Sequence, residues 1–208
     1  DDEWIDAGAH PKKIRHYRAL DPCFWLRDFT PSRDQLRELR LKEGEYILLR
    51  MPETMASYLR MRDEQFLNFI ENLVKILDEL RLVILCRYRE QSRIIRKSLK
   101  DEKILVIDKP IFGQSLIYYS SIFIGGGGTM TQEAALLGVP AISIYPKELP
   151  TAIKFLVENG LILYYSNTEQ LLKDIRKILE ERNVIREESK AKAENLWKIM
   201  EDPKKRVI

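Results

Sequence analysis

Four consecutive glycines, Gly125 to Gly128, followed by Thr129 and Glu133, are the residues whose types and spacing best suit chemistry. They come after the apolar run Ile122-Phe123-Ile124 and before a helix-forming run, Thr131 to Leu137, closed by Gly138 and Pro140. A strand, a glycine bend and a helix set backbone N–H groups at a helix N-terminus. Unpaired donors and the positive end of the helix dipole there favour an anion, usually a phosphate. Glycines let the main chain approach such a ligand closely and take positive φ where needed. A plain turn needs one or two glycines rather than four. Thr129 is placed to cap the helix. Glu133 falls about one turn later, on the expected exposed rim, where a carboxylate accepts two hydrogen bonds from a vicinal diol such as a ribose. Position alone favours a plainer role, complementing the helix dipole.

Little else offers a reactive group. His10 and His16 are the only histidines and have no metal-ligand partners at the right spacing, so they read as surface or structural residues. Cys23 and Cys86 are far apart and match no metal spacing; Cys86 ends the apolar run Leu82 to Cys86 and reads as a buried thiol in a reducing compartment. There is no Ser–His–Asp or His–Cys constellation. No GxGxxG follows the first strand and no GxxxxGK[ST] occurs, which disfavours NAD and ordinary ATP chemistry. No metal and no resident cofactor are expected.

The elements that must position the glycine bend follow from periodicity. Glu45 to Met51, Leu82 to Cys86, Ile104 to Ile107, Ile122 to Ile124, Ala141 to Tyr145 and Leu161 to Tyr165 read as strands. Between the first two, Asp63 to Leu80 reads as an amphipathic helix with Phe66, Phe69, Ile70, Leu73, Val74 and Leu77 on one face. Shorter helices are expected over 90–99, 114–119 and 151–159, the last ended by Gly160. The alternation predicts an α/β fold, a Rossmann-like doubly wound parallel sheet of about six strands with right-handed crossovers. Ligands in such sheets sit at the carboxyl ends of the strands, where strand order reverses. Strands one and four flank that point, so Arg50 and Gly125 to Thr129 should face one crevice.

Residues 1–40 lack a period but are rich in aromatics (Trp4, Tyr17, Phe24, Trp25, Phe29), and read as an irregular N-terminal strap of turns and short helices with Ser32 as a cap. Residues 41–165 form the sheet domain, and 166–208 read as C-terminal helices over 168–179 and 183–200 packing on it. The chain has 208 residues, 45% hydrophobic and 32% charged, with 35 basic and 32 acidic side chains and a net charge of +3. That balance fits a globular protein and does not suggest nucleic-acid binding. No apolar run nears the ~20 residues of a membrane span, and the acidic N-terminus lacks a signal-peptide pattern, so a cytoplasmic location is expected. The chain does not begin with Met, which suits a fragment or processed piece.

The stretch Gly-Gly-Gly-Gly-Thr-Met-Thr-Gln-Glu-Ala-Ala-Leu-Leu-Gly-Val-Pro, residues 125–140, resembles the nucleotide-diphosphate site of GT-B-type proteins. These include UDP-N-acetylglucosamine 2-epimerases and the N-acetylglucosaminyltransferase of peptidoglycan synthesis. It resembles more closely an uncharacterised, largely archaeal glycosyltransferase-like family with a GGGGTM-x-x-EAALLG-x-P segment. The resemblance implies a GT-B C-terminal-domain fold over residues 45–165 and a nucleotide-sugar ligand, UDP-linked by preference. Gly126, Gly127, Gly128 and Thr129 would hold the diphosphate and Glu133 the ribose. Residues 108–113 would hold the base, flanked by Ile111 and Phe112, and Arg50 would lie near the phosphates. Two departures stand. GT-B proteins have two such domains and this chain has sequence for one, so a missing N-terminal domain, a homo-oligomer or another partner chain is expected to complete it and supply the acceptor site. The Gln-x-x-Asn segment that some transferases use on the donor sugar is absent; Lys147 and Glu148 occupy that region. A non-catalytic anion-binding module and an isolated half docking through its aromatic strap stay open as alternatives.

Overall fold

The computed structural model describes residues 3–14, 16–51, 63–146 and 148–207. Six strands, β1 (Tyr46–Arg50), β2 (Arg81–Leu85), β3 (Ile104–Ile107), β4 (Ile122–Gly125), β5 (Ala141–Ile144) and β6 (Ile162–Tyr165), form one parallel sheet in the order β3-β2-β1-β4-β5-β6. This is the doubly wound order anticipated above, with the reversal between β1 and β4. Leu49 of β1 lies opposite Ile124 of β4, which places Arg50 and Gly125 side by side at the carboxyl edge.

The helices are α1 (Glu3–Asp6), α2 (Cys23–Leu26), α3 (Asp34–Glu38), α4 (Asp63–Ile76), α5 (Arg89–Ser98), α6 (Gly113–Tyr119), α7 (Thr129–Leu136), α8 (Thr151–Glu158), α9 (Thr168–Glu180), α10 (Arg182–Ile199) and α11 (Lys204–Val207). Strand side chains alternate between two cores, as the period of two requires. Tyr46, Leu48, Val83 and Phe123 pack with α2, α3, α6, α7, α8 and α10. Ile47, Leu49, Ile84, Ile124 and Ile142 pack with α4, α5 and α9. Both faces being covered, the strands read as continuous apolar runs. The predicted stripe of α4 is buried throughout, from Phe66 to Leu77.

The strap is anchored in the first of these cores: Cys23, Leu26, Leu36 and Leu41 are buried there, and Phe29 meets Tyr118 edge-on with ring centroids 6.4 Å apart. α3 starts later than expected, at Asp34 rather than Ser32; the Ser32 hydroxyl instead accepts from the Asp34 N–H at 3.2 Å. Of the C-terminal helices, α10 holds the same face and α9 the opposite one. Arg186 of α10 donates to the Ser120 and Tyr118 carbonyls, each at 2.6 Å, and Trp197 donates to the Leu136 carbonyl at 2.8 Å. Both cysteines are free thiols; Cys23 is fully buried and Cys86 half-buried, its thiol pushed up to about 11 chiefly by burial. Among the described residues no helix is long and apolar enough to cross a membrane.

Candidate functional site

The glycine run leaves the carboxyl end of β4 at the switch point. Gly125 packs tightly: a Cβ there would lie 2.8 Å from both the Phe123 ring and the Thr131 hydroxyl. Gly127 has φ +79°, a left-handed conformation that side-chain-bearing residues rarely adopt. The cap of α7 is Gly128, in extended conformation and without a side-chain bond, and Thr129 is the first helical residue. The expectation that Thr129 caps the helix is therefore off by one, because Gly128 already supplies the extended backbone a cap needs. Its carbonyl accepts from the Thr131 and Gln132 N–H groups. Among the described residues none accepts from the N–H groups of Gly126, Gly127 or Gly128. Beneath the bend lies the Ser143 hydroxyl of β5, 3.3 Å from where a Gly127 Cβ would stand. It is fully buried and has no hydrogen-bond partner among the described residues.

Two regions flank the run. On the α4–α9 side is a cavity of about 600 Å³ whose lining includes Arg50, Asn68, Asn72, Gly126, Pro146 and Thr168. Of the glycine run, Gly125 and Gly126 line this cavity with Arg50; Gly127, Gly128 and Thr129 do not. The Arg50 guanidinium is half-buried and donates to the carbonyls of Cys86 at 3.1 Å and Leu85 at 3.4 Å. Burial, reinforced by Arg87, lowers its pKa. Lys147 falls outside the described residues; Glu148 is exposed on the loop after β5.

On the α6–α7 side lies Glu133, and here the structure corrects an expectation. Glu133 is not on an exposed rim but 4% exposed, because the strap and α6 cover that side of α7. One carboxylate oxygen, Oε1, accepts from Trp25 Nε1 at 2.8 Å and Gln114 Nε2 at 2.9 Å. Burial raises its pKa, and those two hydrogen bonds oppose the rise. Phe112 precedes α6 with its side chain 63% exposed, and Gly113 packs near the Met130 side chain, bringing the 108–113 loop beside α7. The Gln35 carboxamide of α3 accepts from the Phe112 N–H and donates to the Phe112 carbonyl, both at 2.6 Å in the orientation that satisfies both. Ser32 donates its N–H to Ser115, and Lys109 pairs with Glu38. Trp25, Gln35, Gln114 and Ser143 are the site neighbours that sequence reasoning missed. The aromatic strap was the single signal for any of them.

Comparison with known proteins agrees with this architecture. The model of a family described as a protein of unknown function, DUF354, matches residues 1–205. The chain belongs to the DUF354 family. An uncharacterized protein of Methanocaldococcus jannaschii, MJ0665, is 29% identical over 158 residues, covering 76% of this chain and 45% of that protein. Among solved structures, the UDP-GlcNAc 2-epimerase of M. jannaschii in complex with UDP-GlcNAc and UDP superposes with a TM-score of 0.59 at 17% identity, covering 84% of this chain and 50% of that one. WaaG, a glycosyltransferase involved in lipopolysaccharide biosynthesis, superposes with a TM-score of 0.65 at 12% identity, covering 94% and 55%. At such identities the likeness is one of fold: this DUF354 chain has the Rossmann-like fold of a GT-B domain. It spans about half the length of each of these proteins.

Proposed function

We propose that this chain is the nucleotide-sugar-binding half of a GT-B-like glycosyltransferase or sugar-nucleotide epimerase, with a UDP-sugar as ligand. The observation that carries the reading is the set of backbone N–H groups at Gly126, Gly127 and Gly128, which no group among the described residues accepts from, at the switch point of the sheet. Such donors complement a diphosphate. Glu133 receives the ribose, Phe112 and Ile111 flank the base, Thr129 adds a hydroxyl at the loop, and Arg50 neutralises an anionic oxygen from the far side of the crevice. Donors fixed before the ligand arrives stabilise charge that builds on a departing diphosphate, which is electrostatic catalysis without a protein nucleophile. The acceptor site, and with it the whole reaction, belongs to a preceding domain, a second copy or another chain. UDP bound in the likened epimerase structure supports the choice of base.

Calorimetric titration of UDP into the wild type and Glu133→Gln tests this. The expected result is saturable binding, weakened about tenfold in the variant by loss of a charge-assisted hydrogen bond. Absence of binding to the folded wild type, or equal affinity in both, refutes it.

A further inference from the structure

The strap does more than close the core, because two of its side chains make the same kinds of hydrogen bond that a nucleoside would make. A peptide N–H and C=O on one side of a residue complement any group with an adjacent acceptor and donor. Every nucleobase has such an edge, and so does a primary carboxamide. Gln35 uses its carboxamide in just this way on Phe112, with both bonds at 2.6 Å. Glu133 shows the second half of the pattern. A ribose hydroxyl would donate to its carboxylate, and the Trp25 indole N–H donates to it at 2.8 Å. The two contacts lie on the loop and the helix that hold the base and ribose in the reading given above.

We propose that Gln35 and Trp25 are internal stand-ins for the nucleoside: they occupy the Phe112 peptide edge and the Glu133 carboxylate, and an incoming base and ribose displace them. This inference rests on the proposed nucleotide reading of the site. The displacement is one of side chains and not of the strap. Cys23, Leu26, Leu36 and Leu41 are buried and keep its backbone in place, whereas Gln35 is half-buried and Trp25 is 40% exposed, so each has room to swing outward. Neither stand-in touches the glycine N–H groups, and no other described residue accepts from them. The ligand is therefore met first by its diphosphate and then competes with two protein side chains for its nucleoside contacts. While the stand-ins are in place, Glu133 keeps donors on its buried oxygen and the Phe112 loop stays fastened.

The competing possibility is that Gln35 and Trp25 merely fasten the loop and the carboxylate in the binding geometry. The two differ in sign. UDP and inorganic pyrophosphate are titrated calorimetrically into the full 208-residue chain and into Gln35→Ala and Trp25→Phe, with thermal melts as the check on folding. Displaceable stand-ins predict tighter UDP binding in both variants: about five- to tenfold in Trp25→Phe, where one net hydrogen bond no longer has to be broken, and more in Gln35→Ala, which removes two. Pyrophosphate, which never reaches the nucleoside contacts, binds all three proteins alike. Trp25 emission should also shift when UDP, but not pyrophosphate, is added to the wild type. Unchanged or weaker UDP binding in the variants, with pyrophosphate binding intact, overturns the stand-in proposal alone. Absence of binding of both ligands to every protein overturns it together with the nucleotide reading. If Gln35→Ala fails to fold, Trp25→Phe decides by the same comparison.

Discussion

Gly127 and Gly128 are neighbours in sequence, yet the geometry assigns them different duties, and replacing each by alanine should separate stability from binding. Gly127 has φ +79°, and a methyl group there would also stand 3.3 Å from the Ser143 hydroxyl. An L-residue held in the left-handed region costs about 1–2 kcal/mol. For a chain of this size each kcal/mol lowers Tm by about 2–4 °C, so Gly127→Ala should melt roughly 2–8 °C below the wild type. Gly128 has φ −89°, and no atom lies within 4 Å of the position its Cβ would take. Alanine is accommodated there at a cap cost of about 0.5 kcal/mol, a Tm change of roughly 1–2 °C.

Binding should respond in the opposite order at Gly128. The new methyl projects into the open space beside the N–H groups of the glycine run and keeps a phosphate from seating on them. Losing two charge-assisted hydrogen bonds at roughly 1.5 kcal/mol each weakens binding about 100-fold. Differential scanning calorimetry measures the first effect and titration of UDP the second. The reasoning is refuted if Gly128→Ala binds UDP as the wild type does, or if Gly127→Ala melts with the wild type.

Three further outcomes can be checked by unfolding and by titration. Ser143→Ala removes a buried hydroxyl that has no partner among the described residues and should raise stability by about 1 kcal/mol, seen as a higher urea midpoint; a lower midpoint contradicts this. Arg186→Met leaves the Ser120 and Tyr118 carbonyls without this donor and should cost about 3 kcal/mol while leaving UDP affinity unchanged, since Arg186 sits at the amino end of β4 and the glycine run at its carboxyl end. Glu133 has its pKa raised in the fold, chiefly by burial, so the folded chain binds more protons than the unfolded one. Its contribution to stability therefore falls as pH rises from the ordinary glutamate range of about 4.5 up through the raised folded value. Unfolding midpoints across that window should show this slope in the wild type and lose it in Glu133→Gln; equal slopes count against it.

The parts of the fold that were legible in the sequence are those whose cause is local. The strands are apolar along their length because both faces are buried, and the α4 stripe repeats with the helical period, so burial and pattern coincide. The glycine run was legible for the same reason: the conformation at Gly127 and the close approach at Gly125 are demands on single residues. Glu133 was placed wrongly because α7 has no single apolar face. Thr131, Glu133, Ala134, Ala135 and Leu136 are all buried, so no helical phase distinguishes a rim from an interior. Part of what buries Glu133 lies 108 residues away at Trp25, in a strap without periodicity, and part at Gln114 of α6.

That division bears on function. The diphosphate side is built from consecutive residues and speaks for any nucleotide-like anion. The nucleoside side is built from contacts across distant segments, Trp25 to Glu133, Gln35 to Phe112, Gln114 to Glu133. Hydrogen bonds to a phosphate do not distinguish one nucleotide from another; contacts to base and ribose do. The groups that would select the ligand are therefore the ones whose surroundings depend on tertiary packing. Variation in the strap, at Trp25 and Gln35, should change affinity for the nucleoside part of the ligand, and leave pyrophosphate binding as it is, even where the glycine run is unchanged.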